Sequence, residues 1–473
     1  MKRLRVLLLL TLCFSLAPRA WADDLLPPFT HLPNNHIYTL AELTDMALTL
    51  NPNTRLAWAE VQAAAANLGI ARSTYWPQIN ASVAFQHASP QNSSGESNCG
   101  FSNSLYCSNS FTYGPSFTIN YLLLDFGARI EQVKNAHYLL LASQFSQNEE
   151  IQQVILGVEK AYYQLLGQRA LVQADQETLQ EAQQNLNTAN ALHKQGMATI
   201  GDVYQAQSQM DQAQLTLQQA QGTQANDQGQ LAEAVGLPVE TPLKIAKLPN
   251  DFATQRAMQS MTQLLTMAKT TRPDLMAASA QVSAAQAQET MTRLQNLPTV
   301  ELSVNGGQTF PSTGFNNNGL QSNAQISVNI PIFTGFEQQN QTYLAKAQKE
   351  QAQAQRDNLS QQIGLQVWQA YYALQTANEA ITSSSALLKS SNQAAAQASG
   401  QYRAGVGNIL TVLSTQATQA NARAQFIQAR LNWYTALADL SAALGTLTAT
   451  PHASSSTQKA INYKTAYNLE NMT

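Results

Sequence analysis

The chain carries one structural plan twice, and this limits its fold more than any other feature. VEKAYYQLL at 158–166 is matched by VWQAYYALQ at 367–375, so Tyr162 and Tyr371 lie 209 positions apart. Gly196 and Gly405, in HKQGMATIGDV and YRAGVGNILTV, keep that offset, as do Gly236 and Gly445. Upstream, Pro52 and Pro273 are separated by 221, as are Pro77 and Pro298. The offset therefore changes by 12 between Pro77 and Leu124, and the first copy carries about twelve extra residues there. Self-similarity of this kind means one unit made twice.

Each copy opens on helical periodicity, 40–50 then 53–75 in the first and 261–270 then 274–295 in the second, with Asn, Asp and Pro punctuation at the starts. Two alternating runs follow in each copy and predict strands at about 78–89, 111–124, 298–310 and 321–332. Ile79, Ala81, Val83 and Phe85 alternate with polar residues, as do Ala324, Ile326, Val328 and Ile330. Period two marks a strand with one apolar face, and runs of this length match the roughly 9–11 residues of a tilted transmembrane strand. A proline-free helical stretch then runs over 128–194 and again over 337–403. Its 67 positions make a rod about 100 Å long at about 1.5 Å per residue. Each rod ends in a Gly-containing turn and returns as a second helix, 202–235 or 409–444. Helices this long call for coiled-coil packing.

Four strands cannot close a barrel alone. An open sheet edge is not tolerated in lipid, and the smallest bacterial barrels have about eight strands. If the strands span a membrane, at least two chains share one barrel; otherwise they form a soluble β-layer. The chain's destination bears on this choice. Lys2, Arg3 and Arg5 precede an apolar run, and Ala20-Trp21-Ala22 reads as a cleavage site, so 1–22 is expected to be a secretory signal peptide. Its removal takes four basic residues and moves the formal charge from −3 to −7. Cys13 follows Leu12, too large a residue to precede a lipid-attachment cysteine. Cys99 and Cys107 sit in the extra length of the first copy, in a Ser/Asn/Gly-rich stretch; outside the cytoplasm they are expected to form one disulfide, the alternative being two free thiols.

Composition excludes other classes. Charged residues make up 12% and the pI is near 6.1, without the basic patch of a nucleic-acid binder. No later run of about eighteen apolar residues provides a transmembrane helix. The six histidines are scattered, with no HExxH helix, no zinc spacing, no phosphate-binding glycine loop and no nucleophile elbow, so neither an enzyme nor a cofactor or metal site is expected. Glu149-Glu150 reads as a solvated helix face. A soluble periplasmic coiled-coil scaffold is the remote alternative, and its mark would be solubility without detergent.

The order helix, strand pair, long helix, Gly turn and return helix, duplicated across a linker, resembles the TolC-like outer-membrane efflux protein family over about 40–444. The residues carrying it are Trp76-Pro77 and Leu297-Pro298, LLLDFGAR and PIFTGFE at the strand exits, the AYY pairs and the two tip turns. The resemblance implies an α+β membrane protein. Four transmembrane strands per chain would form a twelve-stranded barrel in a homotrimer, continued by a long periplasmic α-helical barrel. The segments would be a first repeat at 23–240, a linker at 241–256, a second repeat at 257–445 and a polar tail at 446–473.

It further implies a passive outer-membrane exit duct for small toxic compounds, with type I protein secretion as the alternative. The partners would be outer-membrane lipid, a periplasmic adaptor (membrane fusion) protein and an inner-membrane pump or ABC exporter, with no cofactor. Gln195, Gly196, Met197, Ala404, Gly405 and Val406 match the family's adaptor-contacting tips. Tyr402 and Asp202 match a gate pair, able to form a charge-assisted hydrogen bond; the competing reading has Asp202 capping its helix and Tyr402 packing. Thr411 and Ser414 stand where acidic rings are expected, so the chain departs from the family at its constriction.

Overall fold

The computed structural model describes residues 36–88, 110–246, 260–311 and 319–447. The expected signal peptide, the Cys99–Cys107 pairing and nearly all of the tail lie outside these residues.

Local chemistry sets the first helices. Strand β1 (Ile37–Tyr38) leads into α1 (Leu40–Leu50). A capping box starts that helix: Thr39 N–H donates to Glu42 Oε2 at 2.8 Å, and Glu42 N–H donates to Thr39 Oγ1 at 3.3 Å. Asn51 ends α1 and caps α2 (Pro52–Ser73), with its side chain accepting from Asn53 N–H at 2.9 Å. Pro52 occupies the first helical position, where its missing N–H costs nothing. The second copy repeats the junction with Arg272, between α5 (Met261–Thr271) and α6 (Pro273–Leu294).

Strands β2 (Gln78–Ala88), β3 (Ser110–Leu124), β5 (Thr299–Pro311) and β6 (Gly319–Asn329) form one antiparallel sheet in the order β2-β3-β5-β6. Strand β6 stops three residues before its expected end at 332. Pro331 lacks the N–H a ladder needs, and Ile330 is exposed. Strand β4 (Lys244–Ile245), within the stretch read as a linker, pairs parallel with β1 of the first repeat.

Long helices α3 (Ala128–Lys194) and α7 (Glu337–Arg403) each have 67 residues. Each follows a left-handed turn, at Phe126-Gly127 and Gly335-Phe336. Asp125 fastens the first turn: its carboxylate accepts from Arg129 N–H at 2.7 Å and pairs with Arg129 Nε at 3.1 Å. The return helices are α4 (Ile200–Val235) and α8 (Ile409–Ala443). Helices α4 and α3 pack together, α3 also packs on α8, and α8 on α7, giving a row α4-α3-α8-α7. The largest buried cluster joins α1, α3 and α4 through Leu43, Val158, Leu165, Leu231 and Val235. Its counterpart in the second copy uses Leu264, Ile363, Val367 and Leu444.

Candidate functional sites

The sheet is two-faced across all four strands, because its register keeps residues of one kind opposite each other. Ile79 pairs with Ile119, Ile119 with Val304, and Val304 with Ala324. On this apolar face Phe85, Tyr113 and Phe310 stack in a row, with centroids 6.3 and 5.5 Å apart. The opposite face carries Asn80, Thr118, Asn305 and Asn323 in register. There Ser82 and Ser116 hydroxyls bond at 2.8 Å, and Ser303 Oγ donates to Asn120 Oδ1 at 3.1 Å. Ile79, Val83, Phe85, Ile326 and Val328 remain exposed in the single chain. Gly306 lies under the Phe117 ring, where a Cβ would come within 2.4 Å of it.

At the far end of the rods each turn closes as a Schellman motif. Met197 N–H reaches Leu192 C=O at 2.9 Å and Gly196 N–H reaches His193 C=O at 2.9 Å. Val406 to Gln401 (3.1 Å) and Gly405 to Tyr402 (2.9 Å) repeat the pattern. The motif requires positive φ, and Gly196 (+70°) and Gly405 (+74°) supply it. Gln195, Met197, Ala404 and Val406 are exposed around them, Val406 at 80%. The two tips are neighbours: a Cβ on Gly405 would stand 3.9 Å from the Met197 sulfur. Nothing in the sequence signals this meeting, which brings together turns 209 positions apart.

Asp202 and Tyr402 come near each other without bonding. Asp202 completes a capping box on α4: its Oδ2 accepts from Thr199 N–H at 2.9 Å, and its own N–H donates to Thr199 Oγ1 at 3.2 Å. Tyr402 is buried among Leu192, Ala398, Ile409 and Val412, and its hydroxyl has no hydrogen-bond partner among the described residues. Burial first, and then the negative charge of Asp202, push the Tyr402 phenol above its ordinary value. It is therefore a protonated donor with an unused hydrogen. Thr411 and Ser414 are exposed one turn apart on α8, with the Ser414 hydroxyl donating to Thr411 C=O at 3.1 Å.

The α3–α8 seam joins the two hairpins. Lys160 pairs with Asp439 at 2.6 Å, and Arg423 reaches Glu177 and Glu181 at 3.6 and 3.4 Å. Tyr163 stacks on Tyr434 at 4.6 Å, and burial, with the Glu159 charge behind it, pushes its phenol up to about 12. Sequence reasoning singled out the AYY pairs but missed these partners, which lie on another helix.

The outer membrane efflux protein family model matches residues 43–237 and 264–446. Protein CyaE of Bordetella pertussis is 28% identical over 391 residues, spanning 82% of this chain and 80% of its own. The probable efflux pump outer membrane protein TtgC of Pseudomonas putida is 24% identical over 414 residues, 87% of this chain and 83% of its own. Among solved structures, the Campylobacter jejuni CmeC outer membrane channel superposes with a TM-score of 0.75 at 18% identity, over 86% of this chain and 85% of that one.

Proposed function

The chain belongs to the outer membrane efflux protein family, and on that premise we propose that it is the passive, trimeric exit duct of a tripartite export system for small toxic compounds. It is an outer-membrane channel with its helical domain in the periplasm, and it is not an enzyme. The observation that supports the trimer is a pair of open edges. In one chain β2 and β6 end the sheet, and α4 and α7 end the helical row. Unpaired strand edges are excluded from lipid, so the apolar face can meet the bilayer only if copies join edge to edge. Three copies give twelve strands, within the range of bacterial barrels. The Asn/Ser/Thr/Gln face then lines a water-filled lumen.

In this reading the halves 23–240 and 257–445 supply alternate hairpins, and three chains present six near-equivalent tips. Gln195, Gly196, Met197, Ala404, Gly405 and Val406 contact a periplasmic adaptor that links the duct to an inner-membrane pump. Exposed backbone at a glycine turn suits close helix approach, and exposed Met197 and Val406 add apolar area. Asp202, Tyr402, Thr411 and Ser414 surround the entrance.

The mass of the detergent-extracted mature protein, with detergent subtracted, tests the assembly. Three chains are expected, and a water-soluble monomer overturns the reading. Cargo is tested by deleting the gene: susceptibility to toxic amphiphiles should rise while secreted proteins stay unchanged. Normal susceptibility with a missing exoprotein would assign the duct to protein secretion instead.

A further inference from the structure

Among the described residues, α4 and α7 end the row of return and long helices and keep exposed positions along their outer faces. Helices α7 and α8 begin 209 positions after α3 and α4, so the seam inside the chain, α3 against α8, has a counterpart. Adding 209 to an α3 residue and subtracting 209 from its α8 partner gives a pair between α7 and the α4 of another copy. Inside the chain, Tyr163 stacks on Tyr434. One turn on, Leu431 covers Gly167, where a Cβ would lie 3.5 Å from the Leu431 Cβ. The same operation pairs Tyr372 with Ala225 and Thr376 with Gly222.

Both pairs set a larger side chain of α7 against a small residue of α4, the packing of a knob in a hole. Tyr372 is 44% exposed and lies 4.9 Å from Trp368, itself 49% exposed. Thr376 and Ala225 are exposed, and no atom stands within 4 Å of a Cβ placed on Gly222. The ion pairs of the inner seam do not carry over. Lys160 and Asp439 map to Gln369 and Gln230, while Glu181 and Arg423 map to Ser390 and Gln214.

We infer that the Trp368–Tyr372–Thr376 face of α7 seats on Gly222 and Ala225 of α4 in a second copy of this chain. Side-chain packing there replaces the ion pairs of the inner seam. The contact is head-to-tail, and such contacts generate a ring when the rotation closes. This inference rests on the multi-chain duct proposed above.

The test is oxidative cross-linking of full-length protein in outer membranes. A disulfide needs Cβ atoms about 3.5–4.5 Å apart, the spacing found at the counterpart pair inside the chain. Thr376→Cys combined with Gly222→Cys should give two- and three-chain bands on a non-reducing gel. Each single variant should give neither, which also controls for Cys99 and Cys107. Tyr372→Cys with Ala225→Cys is the second pair, should the first fail to assemble. Gly167→Cys with Leu431→Cys should close within one chain and leave its mass unchanged. A three-chain wild-type mass with no cross-link from either pair overturns the seam and leaves the trimer standing. A one-chain wild-type mass without cross-links overturns both.

Discussion

Gly196 and Gly236 both hold positive φ, at +70° and +86°, but their surroundings differ. Nothing lies within 4 Å of a Cβ at Gly196, whereas at Gly236 it would meet the Asn51 Cα at 2.7 Å. Gly445 stands against the Arg272 Cα at 2.9 Å in the same way, so each return helix ends where a helix junction presses on its glycine. Gly196→Ala should cost about 1–2 kcal/mol from backbone strain alone. Gly236→Ala should lower the thermal midpoint further, because strain and collision add; equal shifts by circular dichroism would contradict this account. A charged residue gives a pH prediction. The hydrogen bond from Lys349 at 2.7 Å, with Arg293 behind it at 3.1 Å, holds the Glu289 carboxyl below its ordinary 4.5. A depressed carboxyl stabilises the fold above its unfolded pKa, and that contribution is lost as pH falls through the folded value. The Tm gap between wild type and Glu289→Gln should therefore close on acidification from about pH 5 to 3. A gap constant with pH would show that the ion pair is not its source.

At the scale of elements, the sheet was the most legible part of the chain. Alternation identifies a strand and its faces together, since a slip of one residue would turn every apolar side chain over. The faces lead to a paired test. Ile326→Arg, on the apolar face, should cost about 2–4 kcal/mol if it meets the bilayer midplane and should deplete the protein from outer membranes. Gln325→Arg, on the other face, should leave the membrane-bound amount unchanged. Equal depletion by both would mean that the apolar face does not meet lipid. The β1–β4 pair was not legible, because two residues are too few to show a period. The early end of β6 was misread because Ile330 continues the alternation, and only Pro331 behind it reveals the stop.

At the scale of the whole molecule, the proposed gate would depend on contacts that one chain leaves open. Asp202 spends one carboxylate oxygen on its own helix start, and Tyr402, which feels the Asp202 charge, keeps a hydroxyl unpaired among the described residues. If a small movement of the hairpins joins them, the closed entrance gains a charge-assisted bond. Asp202→Ala and Tyr402→Phe should then each raise single-channel conductance in planar bilayers. Unchanged conductance in both would leave Asp202 with its capping role alone.

The motifs that recur at fixed offsets, the two-faced strands, the lengths of the rods and their glycine turns are all written in the sequence itself. These features are periodic or local, and the physics that produces them acts over a few residues. Tertiary structure alone decided which elements are neighbours. It put α3 between α4 and α8, set the Met197 sulfur beside Gly405, stacked Tyr163 on Tyr434 and buried Tyr402 among Leu192, Ala398, Ile409 and Val412. A long amphipathic helix records that it must pack but not against what, because the partner's side chains lie tens or hundreds of positions away and leave no mark on its own period.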